Sequence, residues 1–396
     1  MAHSSALPSN VARPKPTKRK RRKVIPFRFG KERLRNLIVE STELFRESIA
    51  EGDKELVRAI HLRARNLGTA PQRESHYDLW QTYRDCFIDG CDIEPTHIRP
   101  VLKLVSPRSK WEDLFRIVRW TWSMPYSAGY GRRLRFVVWD VHHGAVMGII
   151  GLQSPPVDLS ARDGLFEYPS RQKVDLINRT MDAYTIGAVP PYSNLLGGKL
   201  VAGLVASNEI RQAYWAEYAG KRTLMNGKRI EQPLVAVTTT SAFGRSSIYN
   251  RLGYEGRLLA ESIGYTKGTG SIHLEALYPH VLDMLRCREP KLVAGGYGNG
   301  PKRKWQHFKR AMDLLNIPRD YFDHGLKREV FLYRLVTGLE AGMSGGSFGR
   351  SISLRAVDYA RFWLQRWAIP RAERDETWRA FLADDYYKRA FALEDA

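Results

Sequence analysis

Several stretches of the chain carry residue types at spacings that can do chemistry. Asn194-Leu195-Leu196-Gly197-Gly198-Lys199 places a glycine pair and a lysine between an apolar run and a helical one. A helix that starts on such a turn offers free amide N–H groups and a positive dipole end to an anion, and Lys199 adds a point cation. Glycine is equally what a tight strand-to-helix corner requires for backbone reasons alone. Gly244-Arg245-Ser246-Ser247 repeats the anion pattern with an arginine. Asp140, His142 and His143 form D-x-H-H at an expected hairpin tip. A carboxylate and two imidazoles are metal-ligand types, and Asp140 or Asp163 would then suit a metal-dependent nuclease or transposition-related enzyme. The same residues also furnish an ordinary polar turn. In Val293–Trp305, glycines lead into Lys302, Arg303, Lys304 and Trp305; cations track phosphates and an indole stacks a base, unless the segment is a solvated linker. Arg162, Asp163, Asn178 and Arg179 read as a polar cluster beside a sheet or as a structural ion pair. Thr238, Thr239, Thr240 and Ser241 bring hydroxyls to a strand end. The ten histidines show no Ser-His-Asp or Cys-His arrangement, and Cys86 and Cys91 find no second close pair to complete a zinc site.

Alternating strands and helices must position these groups. From Lys31 the chain spaces Leu34, Leu37, Ile38, Leu44, Phe45 and Ile49 as one helical stripe, and Lys54–Asn66 and Ser75–Phe87 continue in helices. Ser109–Ser123 reads as a helix with Ser109 as N-cap and an acidic first turn. Leu134–Asp140 and Ala145–Ser154 are strands of a hairpin, followed by strands at Ala183–Pro191 and Pro233–Ala242. A long helix is expected from the glycine pair to about Tyr218, and a short one over Gly244–Glu255. After Leu277 the pattern is helical, ending in an amphipathic helix at Ser353–Trp367. This alternation points to α/β architecture.

Charge narrows the partners. The 396 residues hold 63 Lys and Arg against 42 Asp and Glu, a net of +21. Residues 1–36 carry 12 basic residues and one acidic residue, so the surplus is divided between this end and the remainder. Arg13–Lys23, with two prolines and the run Lys18, Arg19, Lys20, Arg21, Arg22 and Lys23, cannot bury a core and reads as a disordered basic arm. Such a balance attracts polyanions, nucleic acid foremost, although solubility alone also favours charge. No run of about 18 apolar residues would cross a membrane, and no secretory signal is visible.

The sequence of hairpin, strand ending Ala188-Val189-Pro190-Pro191, glycine turn, helix, strand Leu234–Ser241 and Ile248–Glu255 resembles the core of the GNAT acyltransferases over roughly residues 109–290. The resemblance implies a mixed sheet, a coenzyme A pyrophosphate held around Asn194, Gly197, Gly198 and Lys199, and Tyr249 as general acid. Tyr249, Gly253 and Tyr254 fit the family's Y-x-x-x-G-F with Tyr replacing Phe. The turn departs from the pattern: the leading Gln or Arg is missing, Gly198 comes one position early, and Leu195 and Leu196 are bulky. Gly131–Pro156, Ala161–Pro190 and the later stretches LVAVTTTSAFGRSSIYNRLGYEGRL and YTKGTGS also resemble the DruA family of Druantia anti-phage systems. That resemblance implies a cytoplasmic bacterial defence protein working beside a helicase-like partner, and it carries no agreed catalytic mechanism.

The reading is therefore a basic arm (1–30), a helical N-terminal domain (31–107), a GNAT-like α/β domain (108–290) and a mainly helical C-terminal region (291–396). The expected function is nucleic-acid binding in anti-phage defence, DNA ahead of RNA, through the arm, Arg245, Lys302, Arg303 and Lys304. No cofactor is expected to be retained. Acetyl-CoA is the cofactor of the alternative, an acyl-CoA-dependent N-acyltransferase.

Overall fold

The computed structural model describes residues 29–69, 73–124, 129–223, 226–294 and 301–391. The arm cations Lys18, Arg19, Lys20, Arg21, Arg22 and Lys23 lie outside these residues, as does the Lys302 side chain.

Three helices come first: α1 (Lys31–Ala50), α2 (Lys54–Thr69) and α3 (Arg73–Thr82). Strand β1 (Pro100–Leu104), helix α4 (Lys110–Thr121) and the hairpin β2 (Arg133–Asp140) and β3 (Ala145–Gln153) follow. Two short helices, α5 (Ser160–Asp163) and α6 (Lys173–Ile177), precede β4 (Thr180–Ala188). The chain then forms α7 (Gly197–Leu204), α8 (Asn208–Tyr218), β5 (Ala236–Thr240), a small hairpin β6 (Gly253–Tyr254) and β7 (Arg257–Leu258), and β8 (Glu261–Tyr265). Helices α9 (Tyr278–Arg288), α10 (Pro290–Ala294) and α11 (Pro301–Leu315) lead to β9 (Glu329–Arg334). The last elements are α12 (Leu339–Met343), α13 (Ala356–Trp363), α14 (Ile369–Arg374) and α15 (Ala383–Phe391).

Among the described residues, seven strands form one mixed sheet in the order β1-β2-β3-β4-β5-β9-β8. Only β4 and β5 run parallel, with Asp182 opposite Thr238; the other neighbours are antiparallel. A parallel pair needs a crossover, and α7 with α8 provides it. Strand β3 (AVMGIIGLQ) is buried at every position, as a central strand covered on both faces must be.

One sheet face carries the largest core, in which Met181, Ala183, Phe136 and Tyr333 pack under Leu200, Val201, Tyr214, Tyr359 and Trp363 of α7, α8 and α13. Glycine at position 203 is a packing requirement, because a Cβ there would run into the Tyr359 ring. The opposite face carries two apolar patches instead of one. Val137, Val146 and Ile149 pack under Leu114, Phe115 and Val118 of α4, while Ala236 and Leu332 pack with Phe166, Leu176, Leu339 and Met343. Polar residues of β3, β4 and β5 lie between those patches. Leu34 and Ile38 of α1 join α9 and α11 in a further cluster.

Three expectations need correction. The long helix breaks at Val205–Ser207, where Ser207 takes an extended conformation and α8 starts anew. Gly244–Glu255 forms turns rather than a helix, and its end is the β6–β7 hairpin. Positive φ at Glu255 (49°) and Gly256 (75°) gives the twist a two-residue hairpin needs. The region after Leu277 is not purely helical, since β9 inserts between β5 and β8.

Candidate functional site

The glycine turn is a packed corner. Leu196 holds the left-handed conformation at φ 60°, and the Gly197 amide donates to Tyr192 O at 2.8 Å. A Cβ on Gly197 would lie 2.6 Å from that carbonyl, which explains the first glycine without any ligand. Ile248 covers Gly198 at ordinary contact distance. Lys199 turns inward, donating Nζ to Asn250 O at 2.7 Å, and burial lowers its pKa. Trp363 Nε1 donates to Leu196 O, and Arg371 Nε reaches Asn194 O at 3.4 Å. The Gly197 amide and Lys199, two of the groups expected to hold a coenzyme A pyrophosphate, are thus engaged by the chain itself. Tyr249 is buried in the main core against Phe331, with ring centroids 4.4 Å apart. Burial pushes its phenol up to about 12, partly offset by a hydrogen bond with Thr239.

In the D-x-H-H tip Asp140 points inward, while Val141 and His142 are exposed. Asp140 is fully buried, and its Oδ1 accepts the Arg99 and His142 amides at 2.9 and 3.1 Å. Oδ2 accepts the Tyr192 hydroxyl at 3.0 Å and meets His143 Nδ1 at 2.6 Å, while His143 Nε2 accepts the Glu94 amide. Both Asp140 oxygens and both His143 ring nitrogens have partners, so the cluster ties the hairpin to the segment before β1 and to Tyr192. Among the described residues no group of three or more His, Cys, Asp or Glu could hold a metal ion.

The four polar residues Arg162, Asp163, Asn178 and Arg179 divide into two places. Arg162 is buried and saturated, donating to Asp163 Oδ1 and to Pro156 O and Val157 O. Lys173 completes that pair at 3.0 Å, so Asp163 is held below the usual carboxylate range by an amide, Arg162 and Lys173, against the opposing effect of burial. Asn178 and Arg179 instead line a polar cleft of about 660 Å³ with Arg222, Lys228 and Arg229. The strand-end hydroxyls are also engaged: Thr238 Oγ1 donates to Asp182 Oδ1 at 3.0 Å and Thr239 Oγ1 to Ala183 O at 2.9 Å.

Of the expected phosphate contacts, Arg245 is exposed, and its side chain hydrogen-bonds the Tyr265 hydroxyl at 3.3 Å. It lines a cleft of about 380 Å³ with Phe243 and the exposed Lys54 and Lys327. No helix starts at Gly244, so the anion argument from a helix terminus does not apply there. Lys304 pairs with Glu275, and Arg303 donates to Val293 O at 2.7 Å.

A second polar site was not read from the sequence. Asp182, on β4 between the two apolar patches, accepts Gln153 Nε2 and Thr238 Oγ1, each at 3.0 Å. Arg328 lies in the chain segment just before β9. Burial raises the Asp182 pKa and lowers that of Arg328, and each feels the other's charge. Both side chains nevertheless keep partial contact with solvent. The available signal was a lone acid inside the apolar strand TMDAYTIGA.

The family model described as Druantia protein DruA matches residues 51–345. A Druantia protein DruA of Escherichia coli (strain UMEA 4076-1) is 36% identical over 306 residues, 76% of each chain. No solved structure matches.

Proposed function

Because the chain belongs to the Druantia protein DruA family, and through it to the Druantia anti-phage systems, we propose that it is the component through which such a system engages nucleic acid, beside other proteins of that system. The observation that carries this reading is the net charge of +21. Lys54, Arg245 and Lys327 around Phe243 add a local form of it: cations at the rim of a cleft with an aromatic ring, the pairing that tracks phosphates while stacking a base. DNA is the preferred polymer. A helicase is the kind of partner the family resemblance implies, and the cytoplasm is the expected compartment. Among the described residues no helix is long and apolar enough to cross a membrane.

The parallel β4–β5 pair with helices crossing between them supports an acyltransferase-like ancestry for the sheet. The occupied glycine turn and the sealed Tyr249 weigh against coenzyme A chemistry there.

The test is a triple exchange of Lys54, Arg245 and Lys327 to Gln, read by binding to labelled DNA and RNA across a salt series. Each phosphate that the variant no longer neutralises should flatten the salt slope by about 0.9. A lower affinity with a slope flatter by about 2–3 therefore supports the reading. An unchanged slope removes this cleft from the interface.

A further inference from the structure

The polar cleft lined by Asn178 and Arg179 has no part in the nucleic-acid reading. We propose that it binds a free nucleotide through two or more of its phosphate groups. This inference does not rest on that reading, because the cleft of Phe243 and Arg245 shares no lining residue with it.

The cleft holds about 660 Å³ between the segment from α6 to β4 and the loop that joins α8 to β5. That size lies in the usual range of small-molecule sites. Arg179, Arg222, Lys228 and Arg229 line it, against two carboxylates, Asp175 and Glu231. Asp175 is already taken, since it accepts Lys228 Nζ and Asn226 Nδ2. Three arginines then stand against Glu231 alone, a surplus of two positive charges in one concave place. A diphosphate brings the matching charge, and guanidinium forks suit its oxygens.

The backbone forces two of these arginines together. Arg222 and Arg229 pair across an isolated antiparallel bridge. Thr223 N donates to Lys228 O at 2.9 Å and Ile230 N to Lys221 O at 3.0 Å, which makes the arginines a non-hydrogen-bonded pair. In such a pair the Cα atoms stand about 4.5 Å apart and both side chains leave on one face. Like charges directly opposite destabilise a ladder, and an anion held between them removes that cost. Among the described residues neither the Arg179 nor the Arg229 guanidinium has a hydrogen-bond acceptor; Arg179 packs over the Phe348 ring, 5.2 Å from its centroid, with its N–H edge unspent. Arg162 shows the structural alternative in this fold, its guanidinium donating to a carboxylate and two carbonyls. Asn178 Nδ2, at the same cleft, is buried without an acceptor. Leu176 and Ile230 add an apolar wall, so the cleft suits a phosphorylated molecule with an organic body. A nucleotide has that body, and its base and sugar carry acceptors for the Asn178 amide.

The test is calorimetric titration of the full chain with ADP, GDP, CDP, UDP and inorganic pyrophosphate, comparing the wild type with Arg179→Met and Arg229→Gln. Arg361→Gln, an exposed cation of α13 outside the cleft, controls for net charge. The expected result is saturable binding of at least one nucleoside diphosphate, weakened about tenfold or more by Arg179→Met and by Arg229→Gln and left intact by Arg361→Gln. Should Arg179→Met fail to fold, the exposed Arg229 decides alone. Without ligand, Arg229→Gln should unfold in urea no more readily than the wild type, because a like-charge pair is gone. A variant that unfolds more readily assigns this arginine to structure and counts against the site. Failure of every diphosphate to bind the folded wild type up to about 5 mM, or an equal loss in Arg361→Gln, overturns the site. Pyrophosphate bound as tightly as the best nucleotide overturns the nucleotide assignment. Oligonucleotide binding weakened by Arg229→Gln, with no diphosphate bound, gives the cleft to strand phosphates and overturns the inference of a free ligand.

Discussion

Acidification should unfold this protein through a cluster of buried histidines. Phe45 of α1 lies at the hub of three imidazoles, with ring centroids 6.0 Å from His61, 5.5 Å from His273 and 5.6 Å from His324. All three are at most 3% exposed, and both ring nitrogens of His61 are without a partner. Burial is the main cause that lowers their pKa values, to about 4 for His61 and His324 and about 3 for His273. Arg328 and Arg46 oppose protonation further. Folded values below the unfolded 6.5 mean that the unfolded chain binds more protons between pH 6.5 and 4, so stability falls as pH drops through that window. At pH 5 the unfolded value is about 1.5 units above ambient, and at about 1.36 kcal/mol per unit each histidine removes about 2 kcal/mol. Three remove about 6 kcal/mol, comparable with the whole stability of a typical domain. His76, lowered to about 4 chiefly by burial, acts in the same direction. Urea unfolding followed by tryptophan fluorescence at about pH 7.5, 6.5 and 5.5 measures the slope. His61→Leu should flatten it by about one proton and hold or raise stability near neutral pH, since two unsatisfied nitrogens disappear. A wild-type unfolding free energy that is constant across this range, or a slope unchanged in His61→Leu, would refute the reasoning.

Other substitutions separate structural roles from chemical ones. Gly203→Ala should lose about 2 kcal/mol in urea unfolding by forcing a methyl into Tyr359, and Tyr359→Leu in the same chain should recover part of it. Asp140→Asn leaves at least one of four donors unmatched and should lose about 2–3 kcal/mol. A variant of full stability that had lost a metal-dependent nicking activity would instead restore the nuclease reading. Acetyl-CoA at about 1 mM should leave the melting temperature unchanged, because the glycine turn is filled; a rise of several degrees would make it a cofactor cradle.

Much of the fold was legible where local pattern and tertiary burial agree. Of the expected stripe Leu34, Ile38 and Phe45 are fully buried in α1 while Leu44 is exposed, and the β2–β3 hairpin falls within a residue of its expected limits. Strands β1 and β9 escaped notice because PVLKL and EVFLYR are short runs without turn signals to frame them, and β9 sits in a helical neighbourhood. The break between α7 and α8 is set by where Asn208 bonds Leu354 and Ser353, which no local pattern records. Site residues divided similarly. Arg245 was readable as an exposed cation, whereas the partners that occupy Lys199 and Asp140 come from distant elements. The polar group around Asp182 joins Gln153 of β3 and Thr238 of β5, so only the lone acid in β4 announced it.

The central claim is most directly tested by fluorescence anisotropy of the full chain with labelled single- and double-stranded DNA and RNA, against a salt series. The account predicts binding whose log affinity falls with log salt at a slope of about −5 or steeper, flattening when residues 1–30 are removed, because the six arm cations Lys18–Lys23 alone would displace that many counterions. Absence of binding at moderate salt, or an affinity indifferent to salt, would contradict it.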